Sequence, residues 1–245
     1  MIKTRILVSS EYQHLEKFVE ALPRIFESEG TTIWRKRNEV KVFEVEGVRI
    51  NVKRYCIPPF FFNRIVYLLF RRPKAVRAYE FATLLLSKEI DTPAPIAYSV
   101  ARKGLLMWYS YFVSLHLDDI TSVGELCEKG LDEPCRDILT SLGRYTASLH
   151  DKGIYHKDYS SVNILYHPLA EQPQFCLVDI NRMRFGEVTM EQGCTNLERL
   201  NCTEEMLTIV AQSYATARGF NPDECVQIAL KAQAAYATKQ RRKHR

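Results

Sequence analysis

Residues 153–185 read GIYHKDYSSVNILYHPLAEQPQFCLVDINRMRF, short apolar runs set between polar turns. Asp158 and Asn163 stand in the pattern H-x-D-x-x-x-x-N, followed by the apolar pair Ile164 and Leu165. Asp179 comes sixteen residues after Asn163, at the end of the apolar run Phe175 to Val178. Two short apolar segments separated by turn residues predict a hairpin that carries Asp179 back beside the first loop. The residue types match the needs of phosphoryl transfer from a nucleotide. One carboxylate orients an acceptor hydroxyl and takes its proton, while an Asn and a second carboxylate hold magnesium over the phosphates. Magnesium prefers hard oxygen donors, which Asp and Asn supply. Read blandly, Asp158 and Asn163 would be a polar loop capping the next turn, but the later Asp179 at a strand end favours the chemical reading.

The same chemistry also needs a cation on the nucleotide phosphates, held by a carboxylate from a helix. Val40, Val42 and Val45, then Val48, Ile50 and Val52, alternate as strands, and Glu46-Gly47 falls where a turn is expected. A three-stranded meander is predicted over 31–55, with Lys53 in its third strand. Pro73 opens a predicted helix, PKAVRAYEFATLLLSKE, that bears Glu80. An earlier amphipathic helix is expected at about 11–27, with Ser10 as cap and Gln13 completing a capping box. TPAPIAYSV is extended because its prolines disfavour helix, and GLLMWYSYFV reads as a buried strand. Beyond about residue 114 the pattern is mainly helical, with helices predicted over 133–151, 203–218 and 222–238. The chain is therefore α+β: a sheet-rich N-terminal part with an inserted helix (1–112), a mainly helical part (113–238) and a basic tail (239–245).

The 245 residues are 46% hydrophobic and 26% charged, an ordinary balance that excludes collagen, low-complexity disorder and a membrane bundle. The formal net charge is +5, and its placement matters more than its size. Lys239 to Arg245 hold five Lys or Arg and no acid, and Lys53 to Arg77 hold seven basic residues and no acid. Such runs suit an anionic partner. The seven cysteines form no C-x-x-C pair and no zinc-type cluster, so they read as reduced thiols. No signal peptide is visible, and the most apolar window, 57–70, is too short and broken to span a bilayer. A cytoplasmic chain is expected. The rest of the body offers no extended basic face for nucleic acid.

The sequence is similar to the protein-kinase-like superfamily. More narrowly it resembles the lipopolysaccharide kinase family, whose members phosphorylate Kdo or heptose in the inner core. The likeness rests on VKRY at Lys53, FRRPKAVRAYEFATLLLSKEIDTPAPIAY around Glu80, YHKDYSSVNIL, VDINRMRF and TNLERL, and it covers roughly 31–200. It implies a two-lobed kinase-like fold, with an antiparallel-sheet N-lobe carrying one helix and a mainly helical C-lobe. It implies ATP and Mg2+ as cofactors. Lys53 would contact the nucleotide phosphates with Glu80 as its ion-pair partner, Asp158 would be the catalytic base, and Asn163 and Asp179 would hold magnesium. His156 would be structural, packed under the metal-binding turn. The acceptor would be a lipid-linked sugar of the inner core on lipid A, reached at the cytoplasmic face of the inner membrane by a peripheral protein.

The departures shape the alternatives. No G-x-G-x-x-G covers the phosphates, Asp179 is followed by Ile180-Asn181, Ser160 stands where serine/threonine protein kinases usually have Lys, and no A-P-E follows. An atypical protein kinase or small-molecule phosphotransferase of the same fold is the alternative, and a non-catalytic nucleotide-binding module a third reading. The interleaved aromatics and cations of IPPFFFNRIVYLLFRR, 57–72, fit a loop that finishes the core, a contact with an anionic membrane surface, or a site for an acidic acceptor.

Overall fold

The computed structural model describes residues 2–57, 72–104, 106–170 and 172–243. Residues 58–71, most of the basic aromatic stretch, lie outside the described residues. The chain divides into two compact units, Met1–Asp118 and Asp119–Arg245.

The first unit is built on an antiparallel sheet. Its strands are β1 (Ile2–Val8), β2 (Thr31–Arg35), β3 (Glu39–Val45), β4 (Val48–Arg54), β5 (Pro95–Lys103) and β6 (Leu106–Leu115), in the order β1-β5-β6-β4-β3-β2. The meander predicted over 31–55 is present. Its second turn is a two-residue hairpin with positive φ at both Glu46 (52°) and Gly47 (78°), the mirror-image turn whose twist matches paired strands. The edge strand β1 is absent from the sequence reading.

Among the described residues, two helices pack on the sheet. α1 (Glu16–Ile25) sets Val19 and Leu22, with the flanking Leu15 and Phe26, against Phe43, Ile50, Val52, Ile96 and Val113. Each such side chain contributes roughly 1.5–3 kcal/mol when fully buried. The expected helix over 11–27 is shorter than predicted. Ser10–Leu15 is a 3-10 segment, its N-cap is Ser9, and Gln13 reaches Glu16 Oε2 (2.9 Å) instead of closing a capping box. Lys41 closes the far end by donating to Phe26 O (2.6 Å) and Glu29 O (2.9 Å), which satisfies carbonyls that a helix end leaves open. α2 (Lys74–Ser87) follows Pro73 and buries Ala75, Val76, Ala78, Ala82 and Leu85, packing on the side of Tyr55, Tyr98 and Val100.

The second unit is mainly helical: α3 (Val123–Glu128), α4 (Glu133–Asp151), α5 (Met190–Asn196), α6 (Glu204–Arg218) and α7 (Pro222–Lys243). Cap chemistry sets their starts. Asp132 accepts from Cys135 N (2.8 Å), Thr203 from Met206 N (3.2 Å) and Asn221 from Glu224 N (3.1 Å). α6 stops at Gly219, whose φ of 69° a side chain would resist. α7 runs past the predicted end at 238, so residues 239–243 of the basic tail are helical. Short strands carry the loops between helices: β7 (Thr121–Ser122), β9 (Ile164–Tyr166) and β10 (Phe175–Leu177) form one small sheet, β8 (Ile154–His156) and β11 (Met183–Phe185) another.

Candidate active site

The loop 156–163 and the turn 178–182 of the second unit are fastened to each other by strand pairing at both ends. His156 pairs with Met183, and Ile164 pairs with Leu177. Between them, Val178 N donates to Asn163 O (3.0 Å) and Lys157 N donates to Arg182 O (3.2 Å). This is the hairpin return that the apolar runs around Asn163 and Asp179 predict.

His156 stitches the two segments from below. Its Nδ1 accepts from Asp158 N (3.0 Å), so its Nε2 carries the proton donated to Val178 O (3.1 Å). The ring is buried, and burial pushes its pKa below the usual histidine value, which suits a neutral linker. Asn163 donates its Nδ2 to Asp158 O (2.9 Å), leaving Oδ1 as the atom that could ligate a cation. Asp179 has φ 54° and ψ 39°, a left-handed backbone that Asp adopts more readily than most residues. Asn181 Nδ2 donates to its Oδ1 (2.5 Å). Asp179 Oδ and Asn163 Oδ1 are hard oxygen donors, so the residues present fit magnesium as part of a shell completed by phosphate and water.

Asp158 carries a feature that the sequence reading missed. Arg182 Nη1 lies 3.1 Å from both carboxylate oxygens, and Arg199 Nη1 donates to Oδ1 and also to Lys157 O (3.1 Å). The Asp158 side chain is only 15% exposed, against 29% for Arg199 and 55% for Arg182. Arg199 rests on the Tyr236 ring of α7, 5.3 Å from its centroid. Two guanidiniums from different segments therefore fix the direction of one carboxylate.

A buried polar chain supports the loop. Asn196 Nδ2 donates to His156 O (3.0 Å), and its Oδ1 accepts from His150 Nε2 (3.2 Å). His150 Nδ1 then accepts from Tyr214 Oη (3.0 Å), which accepts from Arg218 Nη1 (2.9 Å). Burial drives the His150 pKa down to about 4. Arg199 and Asn196 sit in TNLERL and Arg182 in VDINRMRF, but neither segment has a spacing signal that assigns them.

Lys53 and Glu80 belong to the first unit. Lys53 lies on β4 opposite Phe112 of β6, its Nζ 5.4 Å from the Tyr55 ring centroid. Glu80 lies on α2, where its Oε2 pairs with Arg72 Nη1 (2.6 Å).

The profile of the lipopolysaccharide kinase (Kdo/WaaP) family matches residues 32–217, more than half of the chain. A search of curated protein sequences gives no match. Among solved structures, that of WaaP in complex with acyl carrier protein is similar, with a TM-score of 0.65 and 13% identity over 97% of this chain and 98% of that one. At that identity the likeness speaks to the fold: a mixed chain of antiparallel sheet and helices, as described above.

Proposed function

The chain belongs to the lipopolysaccharide kinase (Kdo/WaaP) family, and from that premise we propose that it transfers the γ-phosphate of ATP to a sugar hydroxyl of the lipopolysaccharide inner core, Kdo or heptose on lipid A. The observation that carries this reading is the fastening of Asp158 to the Asp179 turn through His156 (3.0 and 3.1 Å) and of Asn163 to the same turn through Val178 N (3.0 Å). Phosphoryl transfer depends on positioning and charge stabilisation more than on covalent chemistry, and this loop pair is built for positioning.

In the mechanism, an acceptor hydroxyl hydrogen-bonds to the Asp158 carboxylate, which takes its proton as the oxygen attacks the γ-phosphorus; the bond from that phosphorus to the bridging β-phosphate oxygen breaks, and ADP leaves with the electron pair. Arg182 and Arg199 hold that carboxylate at the required angle. Asn163 Oδ1 and the Asp179 carboxylate would hold Mg2+, and Lys53 would contact the nucleotide phosphates with Glu80 as its partner in the nucleotide-bound form. When bound, Mg2+ supplies charge neutralisation on the transferring phosphate. In this reading the two units correspond to the N-lobe and C-lobe of a protein-kinase-like fold.

The acceptor is lipid-linked, so the protein acts peripherally at the cytoplasmic face of the inner membrane, where anionic lipid would meet the basic stretch and tail. Among the described residues no helix is long and apolar enough to cross a membrane. By likeness to the solved WaaP complex, an acyl carrier protein is a further candidate partner.

The test is transfer of label from γ-labelled ATP to purified Kdo-lipid A and to heptosylated core. One of the two is expected to be phosphorylated. Asp158→Asn should lower the rate by about 10²–10⁴-fold while retaining nucleotide binding. Binding of Mg-ATP with no transfer to either acceptor would sink the proposal.

A further inference from the structure

The register of the sheet edge in the first unit sets like charges against each other. Lys3 stands directly opposite Arg102 on the paired strands β1 and β5, and Arg5 stands opposite Val100. Residues two apart on a strand share a face, so Lys3, Arg5 and Arg102 share one side of the edge. Arg5 lies over the Tyr98 ring, 5.6 Å from its centroid, which identifies that side as the one α2 packs on. Arg72, just before α2, completes the group. These four cations line a pocket of about 490 Å³ together with the apolar Pro73, Val76 and Val100.

Among the described residues that line the pocket the one acid is Glu80, and Arg72 already pairs with it (2.6 Å). Lys3, Arg5 and Arg102 have no acidic partner among the described residues. Like charges directly opposite in a sheet cost stability, and an anion placed between them removes that cost. The volume lies in the range of small-ligand sites. Guanidiniums bind phosphate bidentately and an ammonium adds a point charge, so the donor set suits a phosphate group better than a carboxylate alone.

We propose that this pocket binds a phosphate-bearing anion, a phosphomonoester or diphosphate, with Lys3, Arg5 and Arg102 as its principal donors. The group can come from a lipid headgroup or from a soluble compound. The site lies in the first unit on residues outside the set proposed for phosphoryl transfer, apart from Glu80 at its rim. It stands whether or not the kinase reading holds.

The experiment uses the full chain, with Lys3→Glu and the milder pair Lys3→Gln and Arg102→Gln as variants. Pyrophosphate binding is followed by calorimetry at matched ionic strength. Membrane binding is followed by flotation with phosphatidylcholine vesicles, with and without phosphatidic acid. Lys3→Glu sets an acid opposite Arg102 and should fold at least as stably as the parent, and the Gln variants keep the test valid if it does not. We expect binding of pyrophosphate, of phosphatidic acid vesicles or of both, weakened at least about tenfold by each variant, the effect of one lost charge-assisted contact. Loss confined to pyrophosphate assigns a soluble ligand, and loss confined to vesicles assigns a lipid headgroup. Either supports the site. Absence of both bindings, or binding that the variants leave unchanged and that therefore occurs elsewhere on the chain, overturns it.

Discussion

The carboxylate of Asp158 is held by two guanidiniums that differ in burial, and the difference sets what each can do. Arg182 is more than half exposed, so solvent screens its pair and its removal leaves the carboxylate with a partner. Arg199 is less exposed, packs on Tyr236 and also binds Lys157 O, so it ties the loop backbone to the carboxylate it orients. On the proposed activity Arg199 is thus a positioning residue. Arg199→Ala should then lower kcat on the order of 10²-fold, the cost of a misplaced reacting group, while KM for ATP stays within a factor of two or so. Arg199→Lys should recover part of the loss, because a point charge replaces the fork only incompletely. Arg182→Ala should cost less in kcat than Arg199→Ala. Steady-state kinetics on the three variants check this, and a parallel rise in KM for ATP with unchanged kcat would show that the pair does not orient the base.

At the scale of elements, the support for the site depends on close approach between α5, α4 and α6. A Cβ at Gly193 of α5 would stand 1.9 Å from Tyr214 Oη and 3.0 Å from His150 Nδ1. Gly193→Ala therefore has to displace the phenol that His150 depends on. We expect about 1–3 kcal/mol of destabilisation from overpacking, read as a lowered thermal midpoint. A midpoint equal to the parent's would mean the helices separate without cost. Such contacts explain what the sequence could disclose. The span of α4 was legible because Pro134 and Gly153 punctuate it locally, and the 31–55 meander because alternation and turn residues act over short distances. That Asp158 and Asn163 lie on a loop fastened to the Asp179 turn was legible because one hairpin sets their spacing. β1 was not, since its partner β5 lies some ninety residues further along and IKTRILV has few apolar side chains to bury. Ser10 and Gln13 misled because the segment tightens into a 3-10 turn and Gln13 finds Glu16 instead. Arg182 and Arg199 reach Asp158 across 24 and 41 residues, separations that no local pattern encodes.

For the whole molecule, charge and stability meet in the histidines. The chain carries +5 with its six histidines neutral, so acidification adds positive charge to a basic protein. Folding resists part of that gain. His150 is held neutral in the buried chain between Asn196 and Tyr214, with its pKa near 4 because burial disfavours the imidazolium, and burial lowers His156 in the same direction. In the unfolded chain both should titrate near 6.5. Between those values the unfolded state binds protons that the folded state refuses, so stability is full above about pH 6.5 and falls as the pH drops toward 4. For His150 alone the loss is roughly 3 kcal/mol over the whole window, with about 2 kcal/mol already gone at pH 5. His156 adds to the slope with the same sign. Denaturant unfolding at pH 7, 6 and 5 should therefore show a steady decrease in the unit that contains both rings. His150→Gln keeps an amide that can donate to Asn196 and accept from Tyr214 but cannot titrate. It should start less stable at pH 7 and lose about 2 kcal/mol less than the parent on going to pH 5. Equal slopes in parent and variant would place the acid sensitivity in other groups and remove His150 as its source.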